Sequence, residues 1–68
     1  MKMWIAREKS GTLILWYSKP VKRGDGWYNN EGYFILDSVH SPTFGEATPF
    51  PEVTFENSPM EVELKLIK

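Results

Sequence analysis

The sequence predicts an all-β fold made of five to six short antiparallel strands. Clusters of Gly, Pro, Asn and Ser divide the 68 residues into pieces of strand length, with turn signals about every 8 to 12 residues. None of these pieces is long enough to predict a helix. The chain is also rich in aromatic side chains, with 3 Trp, 3 Tyr and 4 Phe, and these residue types favour strands.

The length predicts a single domain that spans residues 1–68. The absence of cysteine and the presence of one histidine exclude disulfides and a zinc site of the Cys/His type. A chain of this size buries only about 60% of the surface that its unfolded form exposes, so an aromatic core or self-association must stabilise it. There is no signal-peptide pattern and no apolar run of about 18 residues, which predicts a cytoplasmic protein without membrane contact.

The first hairpin is predicted from residues 2–7 and 12–17, with Gly11 providing the positive φ that closes the turn. Alternation in its second strand places apolar side chains on both faces. One face carries Leu13, Leu15 and Tyr17, and the other carries Ile14 and Trp16. A strand that is apolar on both faces lies at the centre of a rolled sheet or contributes to an interface.

The middle of the chain predicts a short strand and a second hairpin. Pro20 ends the preceding strand because proline has no amide proton to donate to a sheet. Residues 21–23 form the short strand before a Gly-Asp-Gly turn. The second hairpin is predicted to join residues 27–28 to residues 33–36 through a loop rich in Asn and Gly.

The last part of the chain predicts a long proline-rich loop over residues 37–51 and then a third hairpin. Its strands are expected at residues 52–56 and 61–68. In the final strand the apolar residues Val62, Leu64 and Leu66 share one face, opposite charged residues. Together the strands predict an antiparallel meander rolled into an SH3-like barrel or half-barrel, which protects strand edges from other chains.

The formal net charge of -1 conceals an uneven distribution along the chain. Residues 1–24 contain six basic residues and one acid, a net charge of +5, whereas residues 25–68 contain eight acids and two bases, a net charge of -6. We interpret the two segments as neighbours in the fold whose charges pair at the surface. The alternative is a dipolar molecule with a basic face for a polyanion.

Two sequence motifs are familiar: Trp-Ile-Ala-Arg at residues 4–7, and Phe-Pro-Glu-Val-Thr-Phe-Glu-Asn-Ser-Pro at residues 50–59, followed by Val-Glu-Leu at residues 62–64. On these motifs the chain resembles short uncharacterised proteins encoded by phages, prophages and other mobile elements of gut bacteria. The resemblance covers both ends of the chain and is weakest between residues 22 and 48. It implies a biological setting but no catalytic or binding residue.

Catalysis, metal binding and cofactor binding are not predicted. Asp37, Ser38, His40 and Ser41 have the residue types of a nucleophilic triad, but neighbours on an extended segment point away from one another. A small hydrolase centred on His40 is therefore the weakest of the functional hypotheses. The acidic residues after Gly24 show no closely spaced loop that would hold a divalent cation.

The aromatic residues instead predict a binding surface. Trp, Tyr and Arg are the residue types enriched at the centres of protein interfaces. We expect Trp16, Trp27 and Tyr28 to make the contacts, with Lys22 and Arg23 at the rim. The predicted function is a non-enzymatic module that binds a protein partner or a second copy of itself. The alternative is a barrel that binds single-stranded nucleic acid through the same residues, although the net charge lacks the usual basic excess.

Overall fold

The structure, a computed structural model, describes residues 1–38 and 49–67. Within these ranges the chain forms six β-strands and no helix. The strands are β1 (Lys2–Arg7), β2 (Leu13–Trp16), β3 (Val21–Arg23), β4 (Gly26–Tyr28), β5 (Tyr33–Asp37) and β6 (Met60–Glu63). They make a four-stranded sheet of order β5-β2-β1-β6 and a two-stranded sheet of β3 and β4. The all-β prediction is confirmed, and the described strands do not close into a barrel.

The first hairpin forms as predicted. Strands β1 and β2 pair in antiparallel register from Trp4 opposite Trp16 to Arg7 opposite Leu13. Gly11 has a φ of 103°, a backbone conformation that is costly for a residue with a side chain. Strand β2 is also central, because β1 pairs with one of its edges and β5 with the other.

The core lies on both faces of the four-stranded sheet, which explains why β2 is apolar on both sides. One cluster contains Ile5, Leu13 and Val53, with Leu15, Leu36 and Val62 packed against it. The other contains Ala6, Ile14 and Trp16, with Trp4 and Trp27 packed against it. The β3–β4 hairpin therefore covers one face through Trp27, and the segment around Val53 covers part of the other.

The prediction of the second hairpin was wrong about its partners. Strand β4 pairs with β3, with Val21 opposite Tyr28, and β5 pairs with β2 instead. The turn between β3 and β4 has only two residues, and Gly24 at its start has a φ of 60°, as the tight turns of two-residue hairpins require. The sequence pattern correctly predicted where β3, β4 and β5 lie in the chain. It did not predict that β4 pairs with β3 rather than with β5.

The prediction of the last hairpin was also wrong. Residues 52–56 form turns rather than a strand, and β6 pairs with β1, with Met3 opposite Val62. Local hydrogen bonds explain the turn: the amide nitrogen of Thr54 donates to Oδ1 of Asn57 at 2.7 Å, and that of Asn57 donates to Oγ1 of Thr54 at 3.2 Å. Asn and Thr side chains that bond the backbone nearby compete with sheet pairing.

Strand β6 is shorter than the predicted span of residues 61–68. It ends at Glu63, and beyond it Leu64 and Leu66 are exposed at 58% and 84% of their surface. The alternation of apolar and charged residues therefore continues beyond the end of β6, where the apolar side chains are no longer buried. Most of the predicted loop over residues 37–51 lies outside the described residues; its first residue, Asp37, ends β5, and residues 49–51 lie outside any strand.

Candidate functional site

A groove of about 360 Å³ lies on the sheet face that the β3–β4 hairpin partly covers. We call it the aromatic groove. It is lined by Glu8, Thr12, Ile14, Trp16, Trp27, Tyr28, Asn29, Tyr33 and Ile35. The fold therefore brings three of the five predicted contact residues to one place, together with Tyr33 from the neighbouring strand β5.

Trp16 lines this groove as part of the core rather than as an exposed contact. Its side chain is only 3% exposed, and its ring centroid lies 5.2 Å from that of Tyr33 with the planes tilted by 44°. Its indole Nε1 is buried and has no hydrogen-bond partner among the described residues. Trp16 is thus a core residue at the groove, whereas Tyr33 is 57% exposed.

Trp27 forms a fixed wall of the groove. Its Nε1 donates a hydrogen bond of 3.0 Å to the carbonyl oxygen of Arg7 on β1, and its ring packs edge-on against Phe55 at a centroid distance of 6.1 Å. Two contacts on different elements hold the indole in one orientation. A ring held in this way loses little conformational entropy when a ligand binds.

Tyr28 lies at the exposed end of β4, and the two predicted rim residues lie on β3. The guanidinium carbon of Arg23 is 5.0 Å from the centre of the Tyr28 ring, and Nζ of Lys22 is 4.3 Å from the centre of the Phe55 ring. Lys22 and Arg23 do not line the groove. Both cations are stacked on aromatic rings of their own chain.

Glu8 is the acidic residue of the groove, and it was not among the predicted contact residues. Its side chain is half-buried, and the structure shows neither a hydrogen bond nor an ion pair for its carboxylate among the described residues. A Cβ atom on Gly26 would lie 2.7 Å from Oε2 of Glu8, so the carboxylate sits directly against the backbone of β4. Glu8 is the one acid among residues 1–24, and this isolation was a signal that the sequence offered.

Arg7 lines a larger groove of about 580 Å³ but has a structural role there. Its guanidinium donates hydrogen bonds to four backbone carbonyl oxygens, those of Gly11, Pro49, Phe50 and Val53. Four of the five N–H donors that an arginine would use to bind a carboxylate or phosphate ligand are therefore already occupied.

A third groove, of about 450 Å³, lies on the opposite face of the four-stranded sheet. Its lining is mainly apolar and includes Met3, Leu15, Leu36, Phe50 and Val62. It has no charged side chain other than Glu63 at its border. This groove adjoins the core cluster on that face, because Ile5, Leu15, Leu36 and Val62 belong to both.

Surface ion pairs connect the basic and the acidic segments of the chain. Lys2 pairs with Glu61, and Lys9 pairs with Asp25, each with a nitrogen–oxygen distance of 3.9 Å. These side chains are between 44% and 82% exposed, so each pair stabilises the fold by at most about 1 kcal/mol. The predicted pairing between the segments occurs at these two places.

No group of three potential metal ligands occurs within residues 1–38 and 49–67. His40 and Ser41, which the triad hypothesis requires, lie outside the described residues. In the part of the chain that the structure describes, no helix is long and apolar enough to cross a membrane.

Comparisons with protein-family models, with curated proteins and with solved structures found no match to this chain. The fold and the groove themselves define its class: a small all-β domain of two antiparallel sheets that carries an aromatic groove beside the edge strand β5.

Proposed function

We propose that this protein is a non-enzymatic accessory module, encoded by a phage or mobile element, that binds a protein partner or a second copy of itself. The observation that carries the proposal is the exposed apolar strand β5 beside the aromatic groove. Tyr33, Phe34 and Ile35 are exposed at 57%, 60% and 47% of their surfaces. Tyr33 and Ile35 lie on the groove face of the strand and Phe34 on its other face, so β5 exposes large apolar side chains on both sides, which is typical of interaction sites in soluble proteins.

The position of β5 in the sheet supports this proposal. Strand β5 is at one edge of the four-stranded sheet, and among the described strands only β2 pairs with it. The opposite edge is β6, which carries Glu61 and Glu63. Charged side chains discourage edge-to-edge pairing, whereas an apolar edge without Lys or Pro favours it. The two edges therefore differ, and β5 is the one suited to pairing with another chain.

Size-exclusion chromatography with light scattering, over a range of protein concentrations, tests the self-association branch. We expect the mass to exceed that of the monomer in the wild type and to return to it in Phe34→Lys. Leu66→Lys is the matched control, because Leu66 is 84% exposed and lies outside the strands. A wild type that stays monomeric would contradict self-association. Binding to a partner protein would then be the remaining form of the proposal, and selection of binding peptides tests it.

Single-stranded nucleic acid binding is the second candidate. Lys19, Lys22 and Arg23 follow one another along the β2–β3 region, and each lies over an aromatic ring at a distance of 5.4, 4.3 or 5.0 Å. Paired cations and rings are the groups that contact phosphates and bases in such proteins. Fluorescence anisotropy with a labelled oligonucleotide should then show binding that weakens steeply with salt, and no binding at low salt would exclude this candidate.

A further inference from the structure

We propose that the aromatic groove binds a basic side chain, arginine or lysine, from an extended segment of a partner protein, with Glu8 as its counter-charge. This inference rests on the proposed protein-binding function and specifies the chemistry of the partner. Three features of the groove support it: a carboxylate that makes no ion pair among the described residues, the rings of Trp27 and Tyr33, which have no cation over them in the same part of the chain, and an adjacent sheet edge.

The first feature is the carboxylate of Glu8. It is half-buried in the groove wall and makes no ion pair or hydrogen bond with any described residue, although the chain has basic residues close to it in sequence. The neighbouring Lys9 pairs with Asp25 instead, and Arg7 is held by backbone carbonyls. A partly desolvated carboxylate lacks the stabilisation that a cation would supply, so the groove is electrostatically suited to a positive ligand.

The second feature is the set of rings around the carboxylate. The faces of Trp and Tyr rings attract ammonium and guanidinium groups. This chain uses the same interaction internally, where Lys19, Lys22 and Arg23 lie over Trp4, Phe55 and Tyr28. Trp27 and Tyr33, which line the groove with Glu8, have no such cation among the described residues. Apart from Tyr28, which Arg23 contacts, the groove therefore combines ring faces and a carboxylate that have no cation beside them among the described residues.

The third feature favours an extended protein segment over a free small cation. Tyr33 and Ile35 belong to the edge strand β5 and also line the groove. A segment that adds to β5 as a further strand runs past the groove, and every second side chain points to the groove's face of the sheet. Backbone hydrogen bonds then provide affinity, and the groove selects the basic residue.

Selection of random displayed peptides on the immobilised protein tests the inference. We expect the selected peptides to share a basic residue at one position. Where the shared residue is arginine, its replacement by citrulline removes the charge and should weaken binding about tenfold. Glu8→Gln should weaken binding by a similar factor, and the two changes together should weaken it no more than either alone. Glu31→Gln is the control, because Glu31 does not line the groove. Tryptophan fluorescence provides the titration signal, and circular dichroism checks that each variant is folded.

The outcomes separate this inference from the function on which it rests. Peptides selected without a common basic residue, or an affinity that Glu8→Gln leaves unchanged, would overturn the basic-ligand inference while protein binding stands. If the folded protein selects no peptide and does not self-associate, both the inference and the proposed function are wrong.

Discussion

Arg7 and Val53 are joined by a hydrogen bond of 2.6 Å from the Nε of the arginine to the carbonyl oxygen of the valine. The backbone of Arg7 adds two further links: its amide donates to Oγ of Ser58 at 2.9 Å, and its carbonyl oxygen accepts the Nε1 hydrogen bond of Trp27. One residue on β1 therefore fixes both the turn segment on one side of the sheet and the β3–β4 hairpin on the other.

Arg7→Ala should lower the free energy of unfolding by about 2 to 4 kcal/mol. The substitution removes several charge-assisted hydrogen bonds and leaves carbonyl oxygens such as that of Val53 without their partner. Arg7→Lys should recover little of this loss, because an ammonium group cannot reach several carbonyls in the geometry of the guanidinium. Urea denaturation followed by tryptophan fluorescence measures both variants.

Arg23→Ala is the control for that experiment. Arg23 is exposed on β3, and its guanidinium carbon lies 5.0 Å from the centre of the Tyr28 ring. Its removal should change stability by no more than about 1 kcal/mol. Equal losses for the two arginines would contradict the structural role of Arg7.

Leu13→Ala and Leu66→Ala form a matched pair that tests the core. Leu13 is fully buried between β1 and β5, so its truncation should cost about 2 to 5 kcal/mol through lost burial and the cavity that remains. Leu66 is 84% exposed, and the same truncation there should change stability by less than about 0.5 kcal/mol. Thermal denaturation distinguishes them, and a large loss at Leu66 would mean that the C-terminal residues are buried.

Gly26→Ala should move the Glu8 carboxylate without unfolding the protein. The added Cβ would lie 2.7 Å from Oε2 of Glu8, and the flexible end of that side chain is free to move away. We expect a stability change below about 1 kcal/mol and weaker binding of the selected basic peptides, although the charge of Glu8 is retained.

Gly24→Ala should lower stability without changing peptide affinity, in contrast to Gly26→Ala. Nothing lies within 4 Å of its added Cβ, but the φ of 60° is strained for alanine and should cost about 1 kcal/mol. Peptide affinity should not change. If both glycine variants bind the peptides as the wild type does, the position of Glu8 in the groove is irrelevant to binding.

Salt should affect stability little. The three ion pairs known among the described residues are all exposed and have nitrogen–oxygen distances of 3.9 Å. Raising NaCl to about 1 M, where the screening length is about 3 Å, should change the free energy of unfolding by less than about 1 kcal/mol. Denaturation curves at low and high salt provide the measurement, and a large loss would show that the segregated charges stabilise the fold.

The sequence predicted strands better than it predicted their partners. β1 and β2 form the expected hairpin because five residues containing Gly11 separate two apolar strands, and this is local information. The pairing of β6 with β1 joins residues almost sixty positions apart, and no local pattern distinguishes it from a hairpin with residues 52–56. In that segment, side-chain hydrogen bonds of Thr54 and Asn57 to the backbone outweighed the alternation that suggested a strand.

In the candidate site, too, the sequence predicted some residues, whereas the place of others depends on the fold. Trp27 and Tyr28 were predicted as contact residues and do line the groove, because aromatic residues next to turns are visible in the sequence. Trp16 was predicted with them but is buried, since β2 became the central strand. Glu8 was not predicted, because its role depends on Gly26 and Tyr33 lying beside it in the fold.

The sequence by itself determined the all-β class, the first hairpin and a core apolar on both faces of β2. These features follow from alternation, turn residues and composition, which act over a few neighbouring residues. Only the tertiary structure decided which edge strand presents exposed apolar side chains, which backbone carbonyls of the turn segment Arg7 binds, and which carboxylate lies among the aromatic rings. Such features depend on contacts between distant parts of the chain, where several pairings satisfy the same local pattern and packing selects among them.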